Sequence, residues 1–228
     1  AFIRPDLVDT PRPVWTVPSK QEHFKLLQRL QAINMVVALN PADVPVPAGG
    51  AMAVPKTDEN DRFIGDLRPA NSRVRVDKAL IDPYLPHVHH MRGLLLHPDE
   101  ILRWWLSDLS NWFFQLEAPL SIQRHYGFGP LVPSSWFTTA PAIDMVQPCF
   151  RVAPMGHSWS VSLSQDCHFN LLHRSGALPP EGVVDSRNQI VDIKTAVAML
   201  YIDDLVFLSK DLMTNRFKVN DSGPGAQF

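Results

Sequence analysis

The sequence has 228 residues, 45% of them apolar and 19% charged, an ordinary globular composition that excludes a disordered tail. Proline accounts for 21 residues, about twice the usual share of roughly 5%, which excludes a helical bundle and favours short elements separated by fixed bends. Net charge is only −2, from 21 basic and 23 acidic residues, so charge alone announces no nucleic-acid partner.

In chain order, residues 1–18 hold four prolines and no periodicity, and are expected to form an extended arm. Ser19-Lys20-Gln21-Glu22 has capping-box form, followed by Phe24, Leu27, Leu30 and Ile33 at helical spacing, which predicts a helix over about 19–38. Asn40 to Gly50 reads as a Pro/Gly linker. Ala51–Lys56 and Arg62–Leu67 flank a polar turn and predict a β-hairpin. Ile101–Leu106 is an apolar, aromatic run that ends near Asp108, and three β-like runs lie between Gln123 and Val152, broken by prolines. His157 to His173 suits a helix entered through Pro154-Met155-Gly156. Val183–Ile193 is polar and poorly periodic. Ala196–Tyr201 and Leu205–Ser209 predict a second hairpin, with Ile202-Asp203-Asp204 between them. The expected division is an arm, helix and linker over 1–50, a segment over 51–100, a larger one over 101–210, and a frayed terminus over 211–228. Two cysteines make no disulfide framework, and a reducing intracellular compartment, cytoplasm or nucleus, is expected. No apolar run approaches the roughly 18 residues of a membrane span, so no membrane partner is expected. The first residues, Ala1-Phe2-Ile3-Arg4-Pro5, show neither an initiator Met nor a signal peptide, so the sequence is expected to be a piece of a longer chain.

Four stretches carry chemistry. In Tyr201-Ile202-Asp203-Asp204 two adjacent carboxylates sit between apolar strands; a polar turn explains an isolated pair, but apolar flanks set the charges against each other, and a divalent cation resolves that conflict. Asp108 ends an apolar run; alone it reads as a helix cap, whereas strand-end carboxylates on two neighbouring strands are what a two-metal phosphoryl-transfer site needs. Pro154-Met155-Gly156 opens a helix, with Gly156 nine residues before Gln165; it is either a Pro/Gly turn or a loop that lets backbone approach a ligand. Lys56 and Arg62 flank the first hairpin turn, with Asp66 and Arg68 beyond. Such charges form a solvated face or a clamp for a triphosphate.

Taken together and in order, these pieces resemble the reverse transcriptase domain of retroelements. Lys56…Arg62-Phe-Ile-Gly-Asp66-Leu-Arg68-Pro-Ala-Asn71 resembles the fingers segment, and Asp108-Leu-Ser-Asn-Trp-Phe113-Phe114-Gln the first catalytic-aspartate motif. Pro154-Met-Gly156…Gln165 resembles the motif that positions template and nucleotide, and Tyr201-Ile-Asp203-Asp204 the paired-aspartate signature. The resemblance covers about 51–210, with a longer stretch between Gln165 and Tyr201 that suggests an insertion around Pro179–Asn188.

The resemblance implies an α+β fold: a polymerase palm, an antiparallel sheet with helices on one face, plus a fingers subdomain whose elements are interleaved around 120–153. It implies template-directed DNA synthesis on an RNA or DNA primer-template with dNTPs and two Mg²⁺ or Mn²⁺ ions. Asp108 and Asp203 resemble the metal-binding catalytic aspartates, Asp204 supports them, and the Leu109 carbonyl completes the coordination. Lys56 and Arg62 resemble the triphosphate grip, with Met155 and Gly156 also at the nucleotide and Gln165 and Tyr201 at template and primer. Phe113, five residues after Asp108, stands where the family places an aromatic gate against the ribose 2′-hydroxyl. Only 24 residues follow Asp204, so the later palm motif and the thumb are expected to be missing, as in a fragment or a decayed copy. The alternatives are an RNA-dependent RNA polymerase, disfavoured by Phe113, and a non-catalytic nucleic-acid-binding remnant. His87, His89, His90 and His97 fit no closed zinc site and are expected at the surface, and Cys149 and Cys167 are expected to fill core space.

Overall fold

The computed structural model describes residues 10–59, 61–73, 85–179, 182–185, 193–194 and 196–212. In chain order its elements are helix α1 (Lys20–Ala32), strands β1 (Val36–Leu39), β2 (Gly50–Pro55) and β3 (Asp61–Asp66), and the single turn α2 (Arg68–Asn71). Then follow β4 (Glu100–Asp108), the short helices α3 (Trp112–Gln115) and α4 (Leu120–Gln123), β5 (Val132–Pro133), β6 (Met145–Phe150), the long helix α5 (Ser160–Ser175), β7 (Ala196–Tyr201) and β8 (Asp204–Leu212). The fold is α+β, and all pairings between these strands are antiparallel. No described helix is long and apolar enough to cross a membrane.

The chain divides into two compact units, each built from two segments: Ala1–Asp77 with Asn111–Leu163, and Lys78–Ser110 with Ser164–Phe228. Residues 51–77 thus fall in the first unit and 78–100 in the second, and the stretch 101–210 is shared between them. The division at Leu163 lies within α5, whose residues from Ser164 onward belong to the second unit.

In the first unit, the Ser19 hydroxyl caps α1 by accepting from the Glu22 amide (3.2 Å), while the Glu22 carboxylate turns to Lys25 (2.8 Å) instead of closing a capping box. The buried stripe is His23, Leu27 and Leu30; Phe24 and Ile33 are exposed. The helix predicted to reach residue 38 ends at Ala32, because Asn34 turns left-handed (φ 57°) and Val36-Val37 enter a strand. β-branched residues lose more rotamer freedom in a helix than in a sheet, and here Val36 pairs with Phe150 across β1 and β6.

Asn40–Gly50 is not a loose linker. Asn40 caps a 3-10 turn at Pro41–Asp43, and Val46 is buried. The first hairpin forms as predicted, from Gly50↔Asp66 to Pro55↔Asp61. Of the three β-like runs expected between Gln123 and Val152, two become strands. The other makes only single bridges, Gly127 with Cys149 and Phe128 with Gly49. The core gathers around Phe128 and Phe150, stacked at 4.2 Å, with Leu27, Leu67, Val132 and Val146. Each such side chain stabilises by about 1.5–3 kcal/mol relative to leaving it exposed.

The second unit is a three-stranded sheet in the order β4-β8-β7. Phe169 and Leu172 of α5 pack with Ala198, Leu200 and Leu205 on one face. Met91, Leu94, Val184 and Ile193 lie with Val197 and Leu208 on the other. Arg103–Asp211 (3.0 Å) and Lys210–Glu100 (3.3 Å) pair β4 with β8 at the end away from the turn. The terminus expected to fray from 211 still holds Asp211 and Leu212 in β8, and 213–228 lie outside the described residues. The expected insertion at Pro179–Asn188 is described only in part, with Val183 bridging Ala198.

Candidate active site at the β7–β8 turn

The β4–β8 ladder runs from Glu100↔Leu212 to Asp108↔Asp204, and the β7–β8 ladder closes at Tyr201↔Asp204. Residues opposed in an antiparallel pair share a face, about 4.5–5.5 Å apart at Cα. Asp108, Asp204 and Tyr201 therefore lie in one row at the sheet end, and the i, i+2 rule puts Leu106 and Trp104 on the same face. Trp104, Leu106 and Tyr201 are exposed there. Asp203 stands in the two-residue turn, its carbonyl accepting from the Leu109 amide at 3.1 Å. Asp108, Leu109, Asp203 and Asp204 thus gather at one corner of one unit, though they are nearly a hundred residues apart in sequence.

Electrostatics tie the carboxylates together. Asp204 is exposed as a residue, but neighbours strip part of the hydration from its carboxyl. This, and then the charges of Asp203 and Asp108, pushes its pKa above the usual carboxylate range. Carboxylate and carbonyl oxygens are the donors that Mg²⁺ and Mn²⁺ select, so the donor set fits a hard cation in kind. As placed, however, no three His, Cys, Asp or Glu side chains among the described residues converge closely enough to hold one ion.

The turn itself is strained. Ile202 has φ 61°, while Asp203 is not among the left-handed residues, the pattern of a type II′ turn. That first central position is normally glycine, and a β-branched residue there costs of the order of 1–3 kcal/mol. Helix α5 holds it. Gln165, expected at template and primer, is buried, donates through Nε2 to Leu200 O (2.7 Å) and accepts through Oε1 from Ile202 N (2.6 Å). His168, one turn further along, bonds Ile202 O through Nδ1 (2.9 Å). Burial lowers its pKa, against the opposing pull of that bond and of the Asp203 charge. His168 was not among the residues expected at the site; its i, i+3 spacing from Gln165, on one helix face, is the signal in the sequence that points to it.

The other candidates belong to the first unit. Lys56 lies just past the end of β2 and Arg62 on β3, both exposed. The base of that hairpin is fixed by Asp66, whose carboxylate accepts from the Val14 amide (2.6 Å) and from Arg68 Nε (2.8 Å) and Nη2 (2.7 Å). Arg68 also donates to Arg12 O, so Asp66 and Arg68 together tie the N-terminal arm to the hairpin. Met155 is half-buried, and Gly156 takes φ 98° with its Cα facing Gly65 O of β3. Asn71, assigned no separate role from sequence, clasps this loop by donating to Gly156 O (2.7 Å) and accepting from the Ser158 amide (2.9 Å). Phe113 is half-buried in α3 between buried Trp112 and half-buried Phe114, just after left-handed Asn111.

The histidine expectation needs one correction. His87 and His89 are exposed, but His90 is buried, accepts from the His87 amide through Nδ1 (3.1 Å) and packs edge-on against His89 at 4.1 Å. Cys149 is fully buried and its thiol is pushed up to about 12 by burial; Cys167 is half-buried. No protein-family model matches the chain, and no curated protein matches it.

Proposed function

We propose that the chain is the fingers and palm region of an RNA-directed DNA polymerase, which adds deoxynucleotides to a primer 3′ end on an RNA or DNA template. The observation that carries the reading is the corner of the sheet in the second unit: Asp108 opposite Asp204, Asp203 in the strained turn between β7 and β8, and the Leu109 amide donating to Asp203 O. These are the positions that the Asp108 motif and the paired-aspartate motif assign to metal binding.

In this reading Asp108 and Asp203 hold two Mg²⁺ or Mn²⁺ ions, with Asp204 in support and the Leu109 carbonyl as a further oxygen donor. When bound, such ions neutralise the triphosphate and activate the primer hydroxyl. The protein's own contribution is positioning and electrostatics. Lys56 and Arg62 present cations to the triphosphate from an exposed hairpin, and Met155 and Gly156 offer the nucleotide a loop with little side-chain bulk at the glycine. Phe113 excludes a 2′-hydroxyl by volume. Gln165 acts on template and primer indirectly, through the turn that it buttresses beside Tyr201. The partners are primer-template and dNTPs, in a reducing intracellular compartment, cytoplasm or nucleus.

Primer extension tests this with the wild type, Asp203→Asn and Phe113→Val, on RNA and DNA templates with Mg²⁺ or Mn²⁺. The wild type should extend with dNTPs, and Asp203→Asn should not, while keeping its fold. Phe113→Val should raise rNTP use by about 10–100-fold, since relieving one steric overlap is worth about 1–3 kcal/mol. Equal use of both sugars by the wild type would point to an RNA polymerase. Binding of primer-template without extension under all conditions would leave a non-catalytic nucleic-acid-binding protein.

A further inference from the structure

We infer that His168 is a positioning residue for the aspartate turn: its Nδ1–H, donated to Ile202 O, selects the turn form that fixes the backbone of Asp203. The inference rests on the polymerase reading for its consequence, but not for its geometry. The peptide between Ile202 and Asp203 is the central peptide of a two-residue hairpin. Rotating that plane by half a turn converts type II′ into type I′, in which Asp203 would also become left-handed. For two non-glycine residues the I′ form is the less strained, because the first position of II′ lies in backbone space that belongs to glycine, whereas isolated left-handed residues, Asp among them, are tolerated. The local sequence therefore favours the form that is not seen.

Two anchors from α5 hold the turn, and one of them opposes that form. Gln165 Oε1 fixes the Ile202 amide, which lies before the central peptide and leaves that plane free to flip. The central peptide itself is held through the Ile202 carbonyl, whose partner is His168 Nδ1 at 2.9 Å. A carbonyl can only accept, so the ring must carry its proton on Nδ1. His168 as a residue is 2% exposed.

The test uses the full chain, uniformly ¹⁵N-labelled, at about pH 8. Long-range ¹H–¹⁵N correlation should show the Nδ1–H tautomer for His168; the Nε2–H tautomer would overturn the inference without any variant being made. The amide–amide NOE between Ile202 and Asp203 reads the turn form, because the flip to I′ swings the Asp203 N–H toward that of Ile202. It should be weak in the wild type, strong in His168→Leu, and weak again in His168→Asn, whose side-chain amide can donate from nearly the same place. A weak NOE in His168→Leu would overturn the inference. With Mn²⁺ as probe, paramagnetic broadening at Asp108, Asp203 and Asp204 should need about 10–100-fold more metal in His168→Leu than in the wild type or His168→Asn, the usual cost of losing a group that orients a ligand. Failure of the wild type itself to bind Mn²⁺ there would count against the polymerase reading, while the tautomer and the NOE would still decide the role of His168.

Discussion

The carboxylate of Asp66 accepts from Arg68 first of all and from the Val14 amide besides, which brings its pKa down to about 2 despite its burial. A carboxylate depressed in the folded state stabilises above its ordinary pKa, and that stability is lost as pH falls through the folded value. Asp66 should thus contribute about 2 kcal/mol that disappears between about pH 4 and pH 2. His157 acts in the same direction in a higher window. Its ring is buried edge-on against Tyr126 at 4.8 Å, its Nδ1 accepts from the Trp159 amide at 3.3 Å, and its Nε2 finds no hydrogen-bond partner among the described residues. Burial, and after it the charge of His125, pulls its pKa down to about 4 from the ordinary value of about 6.5. The unfolded chain binds the proton first, so stability should fall from about pH 6.5 toward pH 4, by on the order of 3 kcal/mol. Urea midpoints measured across pH should show both windows. His157→Phe should flatten part of the upper one, the remainder belonging to other buried histidines such as His23, and Asp66→Asn should flatten the lower one. An unchanged upper slope in His157→Phe would remove His157 from the account.

Between elements, the loop ahead of α5 meets the hairpin β2–β3 at one point. Gly156 has φ 98°, and a Cβ there would lie 2.6 Å from Gly65 O. Gly156→Ala combines left-handed strain with a clash against strand backbone, and should cost about 1–3 kcal/mol. In a chain of this size that lowers the melting temperature by roughly 2–4 °C per kcal/mol. Melting within a degree of the wild type would mean that the loop yields freely. This docking could not be read from Pro154-Met155-Gly156, because what constrains the glycine is a carbonyl some ninety residues earlier. The two hairpins were legible, since each is a local pair of apolar runs around a polar turn. The end of α1 was not. Val36 and Val37 continue an apolar pattern that suits helix or strand, and the choice falls to Phe150, far along the chain. The aspartates were legible as residues at strand ends and turns. What sequence could not supply was the support beneath them, because Gln165 and His168 look like any polar positions on a half-buried helix until β7 and β8 are set against it.

At the scale of the chain, each unit has its own core, one around Phe128 and Phe150, the other around Leu200, Leu205 and Val197. Stability should therefore be lost by unit. Leu200→Ala, at a fully buried site, should cost about 2–5 kcal/mol and deprotect the amides of β4, β7 and β8 in hydrogen exchange, leaving β1 and β6 nearer their original rates. Phe150→Ala should do the reverse, at about 3–5 kcal/mol. Equal loss of protection in both sheets for either substitution would show that the two cores melt as one cooperative body.

The pairing of β4 with β8 also sets a timetable for translation. Asp108 leaves the ribosome 96 residues before Asp204, its partner across the ladder. At roughly 5–20 residues per second the nascent β4 waits on the order of 5–20 s with no strand beside it. During that interval Trp104, Trp105 and Leu106 form a naked sticky edge, the kind of segment that recruits chaperones or pairs with the wrong neighbour. β1 waits longer still, since Val36 must meet Phe150. The aspartate corner is thus a late product of synthesis, and slowing the ribosome between β4 and β8 would lengthen the period in which a newborn chain is most exposed to aggregation.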